Sequence, residues 1–376
     1  MNKLVRRYYQ LKTILLMTLL KVVSSSKKKC HWVLHERGTD ARDNAYFFYR
    51  YLKEKHPEQK VYYIIDRNSP DYSKVKDDAV HFGSLKNYWV LATAERIIAT
   101  HVFVGLPGMN PKLFSWLGLN RKFFFLQHGV IQCDIPPLYY DRTRIRLFIC
   151  GAAPEYRYIE DKYGYPDGTL RYTGLARYDT LHDARTKNQI LIMPTWRKYI
   201  TNEKDFLESE FCRQWNQLLM DPCFAEYLEK NDLSAIFYPH YEVQKYLHLF
   251  QTGTDRIILA DFADYDVQTL LKESKLLVTD YSSVFFDFAY MRKPVVYFQF
   301  DQDEFFGKHY NRGYFSYQKM GFGPVTECVE STVDAIIQSA EGGFCPTDEY
   351  ARRMQMFFPL YDQKNCERIY DAICAL

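Results

Sequence analysis

Five stretches of the 376-residue chain bring hydroxyls, imidazoles or arginines to the ends of apolar runs or into loops. In Leu276-Leu-Val-Thr-Asp-Tyr-Ser-Ser-Val-Phe-Phe-Asp-Phe, a buried strand runs into Thr279, Asp280 and Tyr281. Ser282 and Ser283 then open an amphipathic helix. Hydroxyls and backbone N–H groups at a helix N-terminus form an anion site aided by the helix dipole, so the natural ligand is a phosphate or diphosphate. The plainer alternative is capping by Asp280 or Ser282, with Asp287 in the first turns. In Phe123-Phe-Phe-Leu-Gln-His-Gly-Val, an apolar strand delivers His128 and Gly129 to its carboxyl end. An imidazole there suits general-base work on a hydroxyl, and Gly129 permits a sharp turn beside it. A hydrogen-bonded structural histidine is the competing reading. Ser234-Ala-Ile-Phe-Tyr-Pro-His repeats the pattern with His240, which suits a donor to a leaving phosphate. Ile190-Leu-Ile-Met-Pro-Thr-Trp-Arg offers Thr195 and Arg197 to phosphate, with capping and an ion pair as alternatives. Asn311-Arg-Gly-Tyr places Arg312 in a loop, where it can reach an anionic acceptor.

The elements that must position these groups alternate in type. Strands are expected at 31–35, 61–65, 79–82, 97–100, 123–127 and 147–150, with helices at 44–55, 85–94 and 155–163. A second series has strands at 190–193, 235–238, 257–259, 276–279 and 294–298, with helices at 205–220, 243–250, 266–273 and 282–291. Alternation of this kind indicates parallel sheets wrapped by helices. Residues 177–188 are polar without apolar periodicity and read as the linker. The expected organisation is an α/β chain: a basic segment at 1–29, a Rossmann-like domain at 30–180, and a second Rossmann-like domain at 189–355. A C-terminal helix at 356–376 packs back on the first domain. Such tandem domains bind ligands in an interdomain cleft, at the carboxyl ends of strands.

Composition narrows the function classes. Apolar residues make up 47% and charged residues 25%, which excludes disordered and fibrous chains. Eight of the 49 basic residues lie in the first 29, where there is no acid, so the body holds 41 basic against 46 acidic residues, a net −5. A basic arm on a mildly acidic body argues against nucleic acid and for an anionic membrane surface as partner. Nine cysteines, odd in number and without a CxxC pair, argue against a disulfide framework or zinc ribbon. The longest uncharged run of the N-terminal apolar stretch, 13–20, is eight residues, against about 20 for a membrane span. On a helical wheel Leu4, Tyr8, Leu11, Leu15, Leu19 and Val22 share one side, while Ile14 and Met17 interrupt the polar one. With the lysines at 27–29 this reads as an interfacial helix followed by a polybasic patch; a helix docked on the protein's own core is the alternative. GxGxxG after the first strand, a Walker loop, a G-x-S-x-G elbow and H-E-x-x-H are all absent.

Taken in order, Leu126-Gln-His-Gly, Thr173-Gly-Leu-Ala-Arg-Tyr-Asp, Met193-Pro-Thr-Trp-Arg, Tyr238-Pro-His, Thr279-Asp-Tyr-Ser-Ser-Val-Phe-Phe-Asp and Asn311-Arg-Gly-Tyr resemble the CDP-glycerol glycerophosphotransferases over about residues 30–370. These enzymes build teichoic acid and related capsular polymers. The resemblance implies a GT-B-like fold and a peripheral enzyme on the cytoplasmic face of the membrane. It also implies transfer of glycerol phosphate from CDP-glycerol to a lipid-linked saccharide or polyol-phosphate acceptor, with release of CMP. It maps the base onto His128, and the donor diphosphate onto His240, Ser282 and Ser283, with Asp280 and Asp287 orienting the nucleotide. Arg177, with Gly129 and Arg312, falls on the acceptor or cleft side. The family's frequent Trp before His-Gly is Gln127 here, its usual Lys is missing from 130–134, and its Pro-Arg is Ala176-Arg177. These departures bear on the acceptor and the alditol. A CDP-ribitol phosphotransferase and a GT-B glycosyltransferase using a nucleotide sugar are the alternatives. No tightly bound cofactor or catalytic metal is expected.

Overall fold

The computed structural model describes residues 3–23, 30–182, 185–308 and 311–376, so the lysines at 27–29 and Tyr310 lie outside the described residues. The chain divides into two compact units. Unit 1 comprises Met1–Val130, Pro136–Thr180 and Asp362–Leu376; unit 2 comprises Ile131–Ile135 and Leu181–Tyr361.

Unit 1 is built on β1 (Trp32–His35), β2 (Val61–Ile65), β3 (Ala79–His81), β4 (Arg96–Ala99), β5 (Phe123–Phe125), β6 (Leu147–Cys150) and β7 (Leu170–Tyr172). Every pairing is parallel, in the order β3-β2-β1-β4-β5-β6-β7. Helices on both faces bury the sheet, which is why β1, β5 and β6 are continuous buried runs rather than alternating ones. Unit 2 repeats the winding with β8 (Gln189–Met193), β9 (Ser234–Phe237), β10 (Ile257–Leu259), β11 (Leu276–Thr279), β12 (Val295–Phe298) and β13 (Val325–Thr326), ordered β10-β9-β8-β11-β12-β13. Each sheet therefore reverses its winding at one place, between β1 and β4 or between β8 and β11. Ligands of doubly wound sheets collect beyond the strand ends there. A lysine marks the equivalence of the halves. Lys122, just before β5, donates to the carbonyls of Leu91, Ala92 and Ala94, and Lys293, just before β12, donates to those of Leu271, Lys272 and Ser274. Each closes the C-terminal end of the helix that leads into the neighbouring strand, Leu85–Thr93 before β4 and Val267–Glu273 before β11.

Four helices of unit 1 matter below: α1 (Lys3–Val23), α2 (Asn44–Lys55), α3 (Leu85–Thr93) and α4 (Pro111–Trp116). Helix α1 docks by a narrow face. Thr13 and Met17 are fully buried, Thr13 Oγ1 lies 3.3 Å from the Tyr88 hydroxyl of α3, and Gln10 Nε2 donates to the Gly108 carbonyl at 3.2 Å. Met17, which interrupts the polar side of the wheel, is thus one of the docking residues. Leu4, Tyr8, Leu11, Leu15, Leu19 and Val22 remain 57–72% exposed. No helix among the described residues is long and apolar enough to cross a membrane.

Several expected boundaries move. The helix at 205–220 is two helices, Glu203–Leu207 and Glu210–Leu219, because the Ser209 side chain accepts from the Cys212 N–H and starts a new one. The stretch 243–250 holds only a short helix, Tyr241–Gln244, and a 3₁₀ turn, Leu247–Leu249. The helix expected from Ser282 begins at Phe285 and ends at Tyr290. The linker expected at 177–188 is shorter, since Arg177 and Tyr178 are buried in the turn Ala176–Thr180. Strand β7 and helix α4 were not anticipated. The final helix, Asn365–Cys374, belongs to unit 1, where Asp179 caps it by accepting the N–H groups of Asn365 and Cys366 at 2.8 Å.

Candidate active-site residues in the two units

In unit 1 the register sets His35 beside Ala99, and Ala99 beside Phe125. The chain beyond β1, β4 and β5 therefore carries Arg37, His101 and His128 to the same sheet edge. His128 is exposed. Its ring stacks on His101 with centroids 4.8 Å apart and planes 15° from parallel. The backbone beneath it is fixed from two sides: Arg177 Nη1 donates to the His128 carbonyl at 2.9 Å, and Asn44 Nδ2 of α2 donates to the Gln127 carbonyl at 2.9 Å. The left-handed conformation in this turn falls on Gln127, at φ +59°, rather than on Gly129, which is itself buried. Gln127 is held there because its Nε2 donates to the Ile149 carbonyl, which fixes the strained residue from the neighbouring strand. Arg177 is not an open acceptor contact: it is 5% exposed and pairs with Asp43 at 2.9 Å. Its work is to hold His128 in place.

His101 is held at both ring nitrogens. Its Nε2 accepts from Arg37 Nε at 3.3 Å, and its Nδ1 lies 2.9 Å from Thr100 Oγ1. Burial first, and then the charges of His128 and Arg37, push its pKa far below the ordinary value, so it stays neutral. Below it, His35 is fully buried at the end of β1 and lowered to about 4 by desolvation.

In unit 2 the edge residues form a buried electrostatic network. Asp280 Oδ1 accepts the N–H of Thr195 at 2.8 Å and that of Tyr281 at 2.6 Å, tying the turn after β8 to the turn after β11. Arg197 Nη1 donates to Asp280 Oδ2 at 2.9 Å and to the Thr195 carbonyl at 2.6 Å. Its Nε and Nη2 form a fork on Asp301, at 2.7 and 3.0 Å. Burial works to discharge Arg197, but Asp280 and Asp301 overcome it and hold the guanidinium charged. Burial also raises the Asp280 carboxyl, against the pull of Arg197. For Arg197 the structure thus selects the ion-pair alternative over phosphate contact, with the pair buried and not at the surface. Its side chain is fully buried and engaged by carboxylates, so it shapes the edge instead of touching phosphate. Thr279 likewise turns inward, its hydroxyl donating to the Met193 carbonyl at 2.6 Å, and Asp287 is buried at 1% exposure.

Ser282 and Ser283 are half-buried and stand in the turn before Phe285–Tyr290. Their carbonyls accept the N–H groups of Phe285 and Phe286 at 3.3 and 3.1 Å, and their hydroxyls make no hydrogen bond to the described residues. The anion-site reading therefore moves from a helix N-terminus to two hydroxyls in a tight turn. His240 is half-buried beyond β9, and its Nδ1 accepts the Glu242 N–H at 3.2 Å. A backbone N–H only donates, so Nδ1 is the bare nitrogen and Nε2 carries the proton. Thr195 is buried, and its hydroxyl has no partner among the described residues. Arg312 is exposed, lies over the Phe306 ring at 4.5 Å, and lines a cavity of about 230 Å³ with Gln132 and Tyr314. Gly313 has a steric reason: an added Cβ would lie 2.2 Å from the Gln132 carbonyl. Gly313→Ala is therefore expected to lower the unfolding free energy by about 1–3 kcal/mol, read by chemical denaturation; a change near zero would mean the 131–135 segment yields freely. Among the described residues no group of three or more His, Cys, Asp or Glu is arranged to hold a metal ion.

Comparison with known proteins gives this edge chemistry a context. A family profile described as CDP-glycerol:poly(glycerophosphate) glycerophosphotransferase matches residues 16–133 and 142–375. The chain belongs to that family. It is 33% identical over 368 residues to the minor teichoic acid biosynthesis protein GgaB of Bacillus subtilis (strain 168), covering 93% of this chain and 40% of GgaB. It is 24% identical to the teichoic acid poly(glycerol phosphate) polymerase of the same organism, covering 99% of this chain and 51% of the polymerase. The chain therefore spans about half or less of the length of these relatives. Among solved structures, the wall teichoic acid polymerase TagF superposes with a TM-score of 0.69 at 17% identity, covering 98% of this chain and 97% of that one. The UDP-GlcNAc 2-epimerase of Methanocaldococcus jannaschii superposes with a TM-score of 0.52 at 11% identity, covering 92% and 99%. These likenesses show a GT-B-like fold of two Rossmann-like domains.

Within this glycerophosphotransferase-family chain, sequence reasoning missed Arg37, His101, Asn44 and Asp301. His101 had a visible signal, because Ile97-Ile-Ala-Thr-His is the same strand-then-histidine pattern that singled out His128 and His240. Asp301, after Val295-Val-Tyr-Phe-Gln-Phe, sits at a strand end in the same way. Arg37 and Asn44 carried no local signal, since only the sheet order brings them to His128.

Proposed function

We propose that the chain transfers glycerol phosphate from CDP-glycerol to a hydroxyl of a membrane-linked acceptor in teichoic acid or capsular polymer synthesis. The acceptor oxygen forms a bond to the donor's distal phosphorus, the bond from that phosphorus to the CMP oxygen breaks, and CMP leaves. His128 takes the proton of the attacking hydroxyl. His240, with its proton on Nε2, donates to the donor phosphates, and the hydroxyls of Ser282 and Ser283 bind them. Rate enhancement comes chiefly from positioning and charge stabilisation, as in phosphoryl transfer generally. The observation that carries this reading is the exposed His128 ring, braced by His101 and anchored through Arg177 at the carboxyl edge of a Rossmann-like sheet, in a chain of this family.

The test is incubation of purified protein with a lipid-linked acceptor and, separately, CDP-glycerol, CDP-ribitol and a UDP-sugar. Release of CMP with a gain of one glycerol phosphate on the acceptor is the expected result. Turnover only with the UDP-sugar would overturn the reading. A CDP-ribitol donor is the second reading, supported by 25% identity over 70% of the chain to a teichoic acid poly(ribitol-phosphate) polymerase of Bacillus spizizenii (strain ATCC 23059 / NRRL B-14472 / W23).

The same proposal places the protein peripherally on the cytoplasmic membrane face through α1. Docking leaves nine large apolar side chains of the helix exposed, and the exposed Arg6 and Arg7 lie on the same helix to meet anionic headgroups. Replacing Leu11, Leu15 and Leu19 with Ser is expected to weaken partitioning onto anionic vesicles by about 10²-fold, from roughly 1 kcal/mol per partly buried leucine. Unchanged sedimentation with vesicles would remove the membrane role from this face.

A further inference from the structure

Arg37 lies two residues beyond the end of β1 and is exposed. Its Nε donates to His101 Nε2, and His101 stacks on His128. Its terminal nitrogens make no hydrogen bond and no ion pair with the described residues. Carboxylates do lie close in sequence, but they are engaged elsewhere. Glu36 is buried and accepts the N–H groups of Arg42, Asp43 and Tyr46; Asp43 pairs with Arg177; Asp40 accepts the Thr39 hydroxyl. The result is an arginine tethered through its inner nitrogen, with its outer fork open, one imidazole away from the proposed base. A planar guanidinium held in this way matches the paired oxygens of a phosphate.

We propose that Arg37 binds the phosphodiester next to the attacking hydroxyl of a polyol-phosphate chain end, the acceptor class named in the family's description, and so selects that acceptor over a neutral sugar. At a glycerol-phosphate chain end only three carbons separate the terminal hydroxyl from the next phosphorus-bearing oxygen, so one acceptor unit spans a base and an adjoining cation. A neutral saccharide end presents nothing to the fork. His101 acts as a positioning residue: with both nitrogens engaged and its ring neutral, it orients Arg37 on one side and the His128 ring on the other. This inference rests on reading His128 as the base.

The experiment compares wild type, Arg37→Gln and Arg37→Lys for binding of a soluble glycerol-phosphate oligomer by calorimetry, and for KM of CDP-glycerol and of the acceptor. Arg37→Gln is expected to weaken oligomer binding by about 10-fold or more, with Arg37→Lys restoring part of it, while KM for CDP-glycerol changes less than about threefold. Three results would overturn the proposal: no measurable oligomer binding by wild type, equal binding by Arg37→Gln, or a rise confined to the CDP-glycerol KM, which would assign the fork to the donor. The two readings fail separately. Turnover surviving in His128→Ala removes the base, whereas a dead His128→Ala beside a wild-type-like Arg37→Gln removes only the acceptor contact.

Discussion

Under the proposed function, His128→Ala is expected to lower kcat for glycerol-phosphate transfer by about 10²–10⁴-fold, the range general-base catalysis supplies, with KM for CDP-glycerol nearly unchanged. The loss falls on kcat because the imidazole interacts with a proton that moves only as the new oxygen–phosphorus bond forms. The fold should be indifferent to the change. The side chain is exposed, and the bonds that hold this turn run through backbone carbonyls, to Arg177 from residue 128 and to Asn44 from residue 127. A thermal unfolding midpoint equal to wild type, beside single-turnover CMP release slowed by orders of magnitude, is the expected pair of results. If release stays within about threefold of wild type, the imidazole is not the base. His240→Ala should behave differently, since a group that contacts the donor in both ground and transition states moves KM for CDP-glycerol as well as kcat.

Arg197→Met should cost about 3–5 kcal/mol of stability, the amount lost when one member of a buried ion pair is removed and its partner charge is left behind. Here two carboxylates are left behind. Asp280 and Asp301 are nearly or fully buried, and Arg197 donates three hydrogen bonds to them, besides one to the Thr195 carbonyl. The guanidinium also packs over the rings of Phe211, Tyr281 and Phe305 at 5.1, 5.1 and 4.9 Å, contacts that methionine keeps only in part. Arg197→Lys should not rescue it, because a single ammonium cannot reproduce a fork on one carboxylate and a bond to another. The measurement is the denaturant midpoint of purified variants. A loss under about 1 kcal/mol would show that Asp280 and Asp301 take up protons or water at no penalty, and that the network does not hold the edge.

Much of this architecture was readable before any coordinates. Buried parallel strands are apolar runs, so β2, β6, β10 and β11 fall where the expected strands begin and end. Helix α2 follows from its spacing of apolar residues after Asp43, which caps it. What misled was local propensity at helix starts. Ser282 and Ser283 look like caps, but Asp280 draws the Tyr281 N–H to its own carboxylate, and the helix begins only at Phe285. For Arg197 phosphate contact and an ion pair stayed open together, because nothing in Pro-Thr-Trp-Arg shows that two carboxylates from other strand ends will close on it.

The amino-acid sequence alone determined the two doubly wound sheets, the placing of His128 and His240 at strand ends, and the family. Each of these depends on short-range hydrophobic pattern or on residues that stand close together in the chain. Only the tertiary structure decided which polar side chains face a ligand and which are engaged within the protein. Arg37 came to lie beside His101, and Arg197 beside Asp301, through strand order and register. Those are properties of pairing over long separations, which no local pattern encodes.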